Sequence, residues 1–237
     1  MINIGCSGWF YWHWKRKFYP ANLPQSKWFQ FYAKHFSTVE LNSTFYHFPK
    51  LSTAKAWYRN SPKNFIYTLK VNRFITHIKK FKGTSGLIKD FYKLGDALKE
   101  KMGCFLFQLP PSLRFNMEKL NEIIKQLDAE RKNVIEFRHE GWFTEEVYDK
   151  FKKNNIVFCI VSSPEMPETF VKTADDIYIR FHGKENLYGS NYSNKELKSW
   201  AKKIKNSRAR NVWAYFNNDS NAYAVKNSLY LKEILRT

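Results

Sequence analysis

Along the chain, short apolar runs alternate with stretches whose apolar residues recur at three- and four-residue spacing. The runs have the length and period of strands; the stretches have the period of amphipathic helices. Strands are predicted at 2–6, 38–42, 65–71, 104–109, 134–138, 157–161, 177–182 and 212–217. Helices are predicted at 26–35, 53–60, 86–101, 117–130, 145–154, 194–205 and 222–235, with a short element over 167–174. Asn116 and Thr144 stand where N-caps belong, and Ser193 with Glu196 forms a capping-box pattern. Strict strand–helix alternation implies a parallel sheet, and eight repeats is the count of a closed β/α barrel of the TIM type. No Pro-rich or Gly/Ser-rich linker interrupts the pattern, so residues 1–237 read as one barrel domain. The alternative, a doubly wound open sheet, is disfavoured: neither G-x-G-x-x-G nor G-x-x-x-x-G-K-[ST] follows the first strand.

Side chains alternate across a strand, so each strand divides into two faces. In 177–182, Ile177, Ile179 and Phe181 oppose Tyr178, Arg180 and His182. In 134–138, Ile135 and Phe137 oppose Val134, Glu136 and Arg138. The apolar face must meet the helices that cover a parallel sheet, which turns the other face into the barrel. Applied to six strands, this converges Glu40, Asn42, Lys70, Gln108, Glu136, Arg138, Arg180, His182 and Asn217 on the C-terminal mouth. Catalytic residues of such barrels sit at that end. Two carboxylates against three fixed cations leave one positive charge, or two with a protonated His182, so the mouth is expected to prefer a phosphate or carboxylate. The competing reading is a self-satisfied network in which Glu40 and Glu136 pair with Lys70, Arg138 and Arg180.

Composition sharpens this. Forty Lys plus Arg against 21 Asp plus Glu give a net charge of +19, a field that attracts anions. The loop after the first strand mixes Trp9, Phe10, Trp12 and Trp14 with Lys15, Arg16 and Lys17; the loop after the third carries Arg73, Lys79, Lys80 and Lys82. Basic groups interleaved with aromatics suit a nucleotide or single-stranded nucleic acid, by pairing phosphates and stacking bases. Cys6, Cys104 and Cys159 are widely spaced in apolar runs and show no zinc spacing, so they are expected as buried free thiols. No cofactor motif and no membrane span is visible. The N-terminal Met-Ile-Asn-Ile-Gly lacks a signal-peptide pattern, so a cytoplasmic location is expected.

Several blocks resemble the YecE-like family, a domain of unknown function: Gly5-Cys-Ser-Gly-Trp9 with Phe18-Tyr-Pro20, and Phe36-Ser-Thr-Val-Glu-Leu-Asn-Ser-Thr-Phe-Tyr46. They continue with Lys70-Val-Asn-Arg-Phe-Ile-Thr-His77, Phe107-Gln-Leu-Pro-Pro111, Glu136-Phe-Arg-His139 with Trp142-Phe143, Arg180-Phe-His-Gly183 and Tyr215-Phe-Asn-Asn218. The resemblance implies a β/α barrel and no established activity. Where the family often has Gly-Thr-Ser-Gly-Trp, Cys6 replaces the threonine and removes a hydroxyl.

The expected function is metal-independent acid/base chemistry on a small anionic, sugar-like or phosphorylated molecule, by a hydrolase, lyase or isomerase. Glu136 is cast as base and His182 as its proton-transfer partner, with Glu40 as a second carboxylate. Arg138, Arg180 and Lys70 are cast as the anion clamp, and Asn42, Gln108, Asn217, Trp9, Tyr46 and Arg73 as further substrate contacts. Glu40 and Glu136 could also form a glycosidase pair. Two alternatives stand beside it. One is a metal-assisted nucleic-acid phosphodiesterase drawing ligands from Glu40, Glu136, His139 and His182; the other is a non-catalytic binder of nucleic acid or nucleotide.

Overall fold

The computed structural model describes residues 1–236. These residues form one sheet of eight parallel strands: β1 (Ile2–Cys6), β2 (Thr38–Leu41), β3 (Ile66–Lys70), β4 (Met102–Gln108), β5 (Asn133–Glu136), β6 (Val157–Ser162), β7 (Ile177–Phe181) and β8 (Val212–Phe216). β1 pairs with β8 in register from Ile2 opposite Val212 to Cys6 opposite Phe216, so the first and last strands are hydrogen-bonded neighbours. The sheet curls into a nearly closed (β/α)8 barrel, as the alternation requires, and not into an open doubly wound sheet.

The helices wrap the outside: α1 (Trp28–His35), α2 (Ser43–Tyr46), α3 (Leu51–Asn60), α4 (Ser85–Leu98), α5 (Met117–Gln126), α6 (Glu145–Lys153), α7 (Asn194–Asn206) and α8 (Tyr223–Arg236). The expected caps are in place. Asn116 accepts the Lys119 N–H, Thr144 accepts that of Val147, and Ser193 and Glu196 close a capping box. The 86–101 helix ends at Leu98, where Lys99 turns to a positive φ of 50°, and α5 stops at Gln126 rather than residue 130. The element expected over 167–174 is irregular backbone. There Thr173 accepts the Phe158 N–H at 2.8 Å and donates to the Ile156 carbonyl at 2.7 Å, so this segment is tied to the start of β6 instead of coiling on itself. The short α2 and a π-helical turn at Phe74–Ile78, both in loops at the mouth, had no signal in the periodicity.

Two apolar layers result. One lies between sheet and helices. The other fills the barrel with Cys104, Leu106, Val134, Val157, Cys159, Val161, Tyr178, Trp213 and Tyr215. Gly103 leaves room for this plug, since a Cβ there would lie 2.9 Å from the Trp213 ring and from Ile66. All three cysteines are buried and free. The Tyr215 hydroxyl bonds Thr38 Oγ1 at 2.7 Å and Thr68 Oγ1 at 3.0 Å, joining β8 to β2 and β3 across the interior. Among the described residues no helix is long and apolar enough to cross a membrane.

The seam between β1 and β2 is built differently from the rest. The two strands lie side by side without a strand ladder, and the Tyr32 hydroxyl from α1 spans them. It accepts the Cys6 N–H at 2.9 Å and donates to the Thr38 carbonyl at 2.9 Å. Gly5 permits the approach, because a Cβ on it would sit 2.4 Å from that same carbonyl oxygen. Tyr32→Phe leaves two buried backbone groups unpaired and is expected to cost about 1–3 kcal/mol in denaturant unfolding. It should also speed amide exchange at Cys6, and unchanged exchange there would show that the seam does not depend on the hydroxyl.

Candidate active site

The inward faces read from the sequence are the inward faces of the barrel, and they stack in depth. Above the apolar plug lies a layer of buried charge. Arg180 from β7 donates from Nη2 to Glu40 Oε1 on β2 at 2.6 Å and from Nη1 to Glu136 Oε2 on β5 at 2.6 Å. The second oxygen of Glu40 accepts the Tyr178 hydroxyl at 2.5 Å. Just past the strand ends, Arg138 donates from Nε to Glu136 Oε1 and lies 3.0 Å through Nη2 from His182 Nε2. Asn217 approaches the other ring nitrogen, Nδ1, at 3.3 Å. Glu40, Glu136, Arg138, Arg180, His182 and Asn217 thus form one network.

Its electrostatics follow from burial and partners. Burial alone would raise the Glu136 carboxyl, but Arg138 and Arg180 outweigh it and hold the group well below the usual carboxylate range. Burial, then the same two arginines, push His182 down to about 3, so its imidazole is neutral. The ring stands between two donors and one acceptor: Asn217 Nδ2 approaches Nδ1, while Nε2 lies 3.0 Å from Arg138 Nη2 and 3.3 Å from Glu136 Oε1. Glu136, Glu40 and Arg180 are paired with one another and at most 1% exposed. Arg138, 9% exposed, is the more exposed of the two guanidiniums in the network.

Lys70, at the end of β3, is 8% exposed; its carbonyl accepts from Thr44 Oγ1 at 2.6 Å, but its ammonium forms no hydrogen bond or ion pair among the described residues. Its ammonium sits over the Phe45 ring of α2, 4.0 Å from the centroid. Burial first, then Arg180, lower it to about 7, against the opposing pull of Glu136 and Glu40. It is therefore the member of the cluster that changes charge near neutral pH.

The remaining expected contacts are more scattered. Gln108 lies opposite Glu136 in register at the half-buried rim, and Asn42 Nδ2 points at the Ser7 carbonyl 3.4 Å away. Trp9 is half-buried against Phe29 and lines a cavity of about 170 Å³ with Gly8, Phe10, Tyr11, Leu41 and Asn42. Tyr46 and Arg73 are exposed on neighbouring loops, outside the network. Within the aromatic loop, Trp14 is fully buried while Phe10 and Trp12 face solvent.

Three features escaped the sequence reading. Tyr178 was visible as inward-facing but not as the partner of Glu40. Ser7 Oγ and Asn42 Oδ1 are buried at the mouth without a hydrogen-bond partner. His13 pairs with Asp219 at 2.9 Å, the Asp219 carboxylate also accepts Trp14 Nε1 at 2.6 Å, and burial raises Asp219 to about 6. These partners are contributed by segments over 130 positions apart in the chain, so no local pattern announces them. His139 is occupied locally, accepting the Gly141 N–H.

Two measurements probe this layer. Arg180→Ala leaves Glu40 and Glu136 short of a buried counter-charge and is expected to destabilise by about 3–5 kcal/mol in denaturant unfolding. For Lys70, unfolding takes up a proton between the folded value of about 7 and the ordinary 10.5, so this group makes wild-type stability rise with pH across that window. In Lys70→Met that rise should vanish; identical pH–stability curves for the two proteins would contradict the placement of Lys70.

Comparison with known proteins accords with this architecture. The model of a family described as protein of unknown function DUF72 matches residues 3–237. UPF0759 protein YunF of Bacillus subtilis is 24% identical over 99% of this chain and 95% of its own length. UPF0759 protein YecE of Escherichia coli K12 is 26% identical over 47% of this chain and 42% of its own. A DUF72 family protein from Thermotoga maritima superposes with a TM-score of 0.91 at 26% identity, all of both chains being covered. One from Enterococcus faecalis gives 0.86 at 20% identity over 100% of this chain and 96% of that one. With eight strands and helices in the family's own arrangement, and its motif blocks at the barrel mouth, this chain belongs to the DUF72 family.

Proposed function

We propose that the mouth binds a small, hydroxyl-bearing anion, phosphorylated or carboxylated, and transforms it by acid/base chemistry of the chain's own side chains. The carrying observation is the imbalance at the mouth. Arg180 and Arg138 offset Glu40 and Glu136, whereas Lys70 has no counter-charge bonded to it. An anion supplies that partner. The unpartnered Ser7 Oγ and Asn42 Oδ1 call for hydroxyl donors and acceptors, and Trp9 and Phe10 offer flanking rings that suit a sugar-like skeleton.

The roles then separate. Arg138 and Lys70 reach the ligand. Arg180 and Glu40 hold the others in place, a positioning role in which neither meets substrate. Glu136 acts through the Arg138 guanidinium it fixes, and neutral His182 is available to accept a proton. A glycosidase mechanism finds less support, because Glu40 and Glu136 are both committed to one guanidinium and shielded from the opening.

A second reading, a binder of single-stranded nucleic acid, rests on the exposed Phe10, Trp12, Tyr46, Phe48, Phe74 and Tyr188 around the mouth, beside Lys15, Lys17 and Arg73. Glycerol 3-phosphate distinguishes the two. The small-anion reading expects it to raise the unfolding temperature of the wild type, less so that of Arg138→Leu, with modest dependence on salt. Absence of any such shift, together with oligonucleotide binding that collapses between 50 and 200 mM salt by about 10³-fold or more, would favour the nucleic-acid reading.

A further inference from the structure

We propose that Lys70 is the nucleophile of this site and that its substrate is a phosphorylated or carboxylated aldehyde or ketone, captured as an imine. The inference rests on the small-anion reading and narrows it from an anion to a carbonyl-bearing anion.

The contrast with the other buried lysine carries much of the weight. Lys101 is 5% exposed, and its ammonium is satisfied by the Tyr58 carbonyl at 2.8 Å and the Ser61 carbonyl and hydroxyl, each at 2.9 Å. That is a lysine placed for structure. Lys70, equally buried, has no acceptor bonded to it and sits under an aromatic face at the C-terminal end of a barrel strand. Burying an ammonium without a bonded acceptor is costly, and within the fold the Phe45 ring alone lies against it to offset part of that cost. The groups that face it are Glu40, Glu136, Arg138 and Arg180 of the charged layer and His77 of the turn after β3. Among them the two guanidiniums and the burial favour the free amine, which is the nucleophilic form, and bring half of it into that form near pH 7.

The chemistry closes without a redox partner. The Lys70 nitrogen attacks the carbonyl carbon, an N–C bond forms, and the C=O π electrons move to oxygen, which takes up a proton given up by nitrogen. The hydroxyl of this carbinolamine takes up a proton from solvent, its C–O bond breaks, water departs, and the nitrogen lone pair completes the C=N bond of an iminium cation; hydrolysis reverses the sequence and returns the proton. His77 is placed to relay those protons. Its ring packs edge-on against Phe45 at 4.9 Å, Nδ1 is engaged by Thr76 Oγ1 at 2.9 Å, and burial followed by Lys70 lowers it to about 4, leaving a neutral imidazole. The Phe45 face lies against the amine and accommodates the iminium cation. Such a cation draws electrons from the adjacent carbon, which narrows the reaction to a lyase or an isomerase.

The test is borohydride trapping of the whole 237-residue chain with glyceraldehyde 3-phosphate and with pyruvate, followed by peptide mapping. At pH 7 Lys70 should be reductively alkylated on the order of a hundredfold faster than exposed lysines, since those hold far less free amine. The rate should rise through about pH 7 and level off above it. Lys70→Arg and Lys70→Met, each checked for a wild-type fold, should lose the fast adduct, and glycerol 3-phosphate should protect Lys70 in the wild type. Adducts spread evenly over surface lysines, or a fast adduct that survives in both variants, would overturn the proposal. If glycerol 3-phosphate stabilises the protein while neither carbonyl compound is trapped, the imine fails and the anion site stands. If neither binds, both fail.

Discussion

Everything above the apolar plug depends on the fork of Arg180. Its two terminal nitrogens each hold a different carboxylate, Glu40 from β2 and Glu136 from β5, so one guanidinium ties three strands of the barrel together. Buried ion pairs of this kind seldom stabilise more than apolar residues of the same volume would, and removing one partner is far worse than never having had the pair. Their effect here is directional. With its charge offset and its oxygens used, Glu136 stays ionised and turns its remaining acceptor outward to Arg138. Arg180 Nε is itself buried without a partner, so the arrangement favours geometry over complete satisfaction.

From that fixed layer the chemistry of the mouth follows in order. Arg138 is aligned by Glu136, His182 is kept neutral by burial and two nearby arginines, and Asn217 meets the ring from the opposite side. Lys70 is left outside this chain of pairings, close enough to feel the arginines but bonded to none of the carboxylates. Depth separates the roles: charges with both partners present lie below, and cations with capacity to spare lie above. A mouth of this kind is electrostatically prepared before any ligand arrives, since neither the Glu–Arg layer nor the neutral imidazole needs to reorganise. The basic, aromatic loops surround it without contributing to the network, as Tyr46 and Arg73 illustrate.

The sequence by itself determined the barrel, the inward face of each strand and the level of the mouth, because strand alternation is a local property with a period of two. Tyr178, Arg180 and His182 point inward for no reason beyond their spacing, and the N-caps at Asn116, Thr144 and Ser193 are equally local. Who bonds whom was decided only in three dimensions. Glu40 meets Tyr178 and Arg180 across about 140 positions of chain, and the Tyr32 hydroxyl replaces a strand ladder that eight alternations would otherwise lead one to expect. Thr173 finds its partners in β6, which is why 167–174 does not coil into a helix. The state of Lys70 is the furthest from sequence: a lysine's charge depends on how much water and how many acceptors surround it, and the fold gave Lys101 three acceptors and Lys70 an aromatic ring.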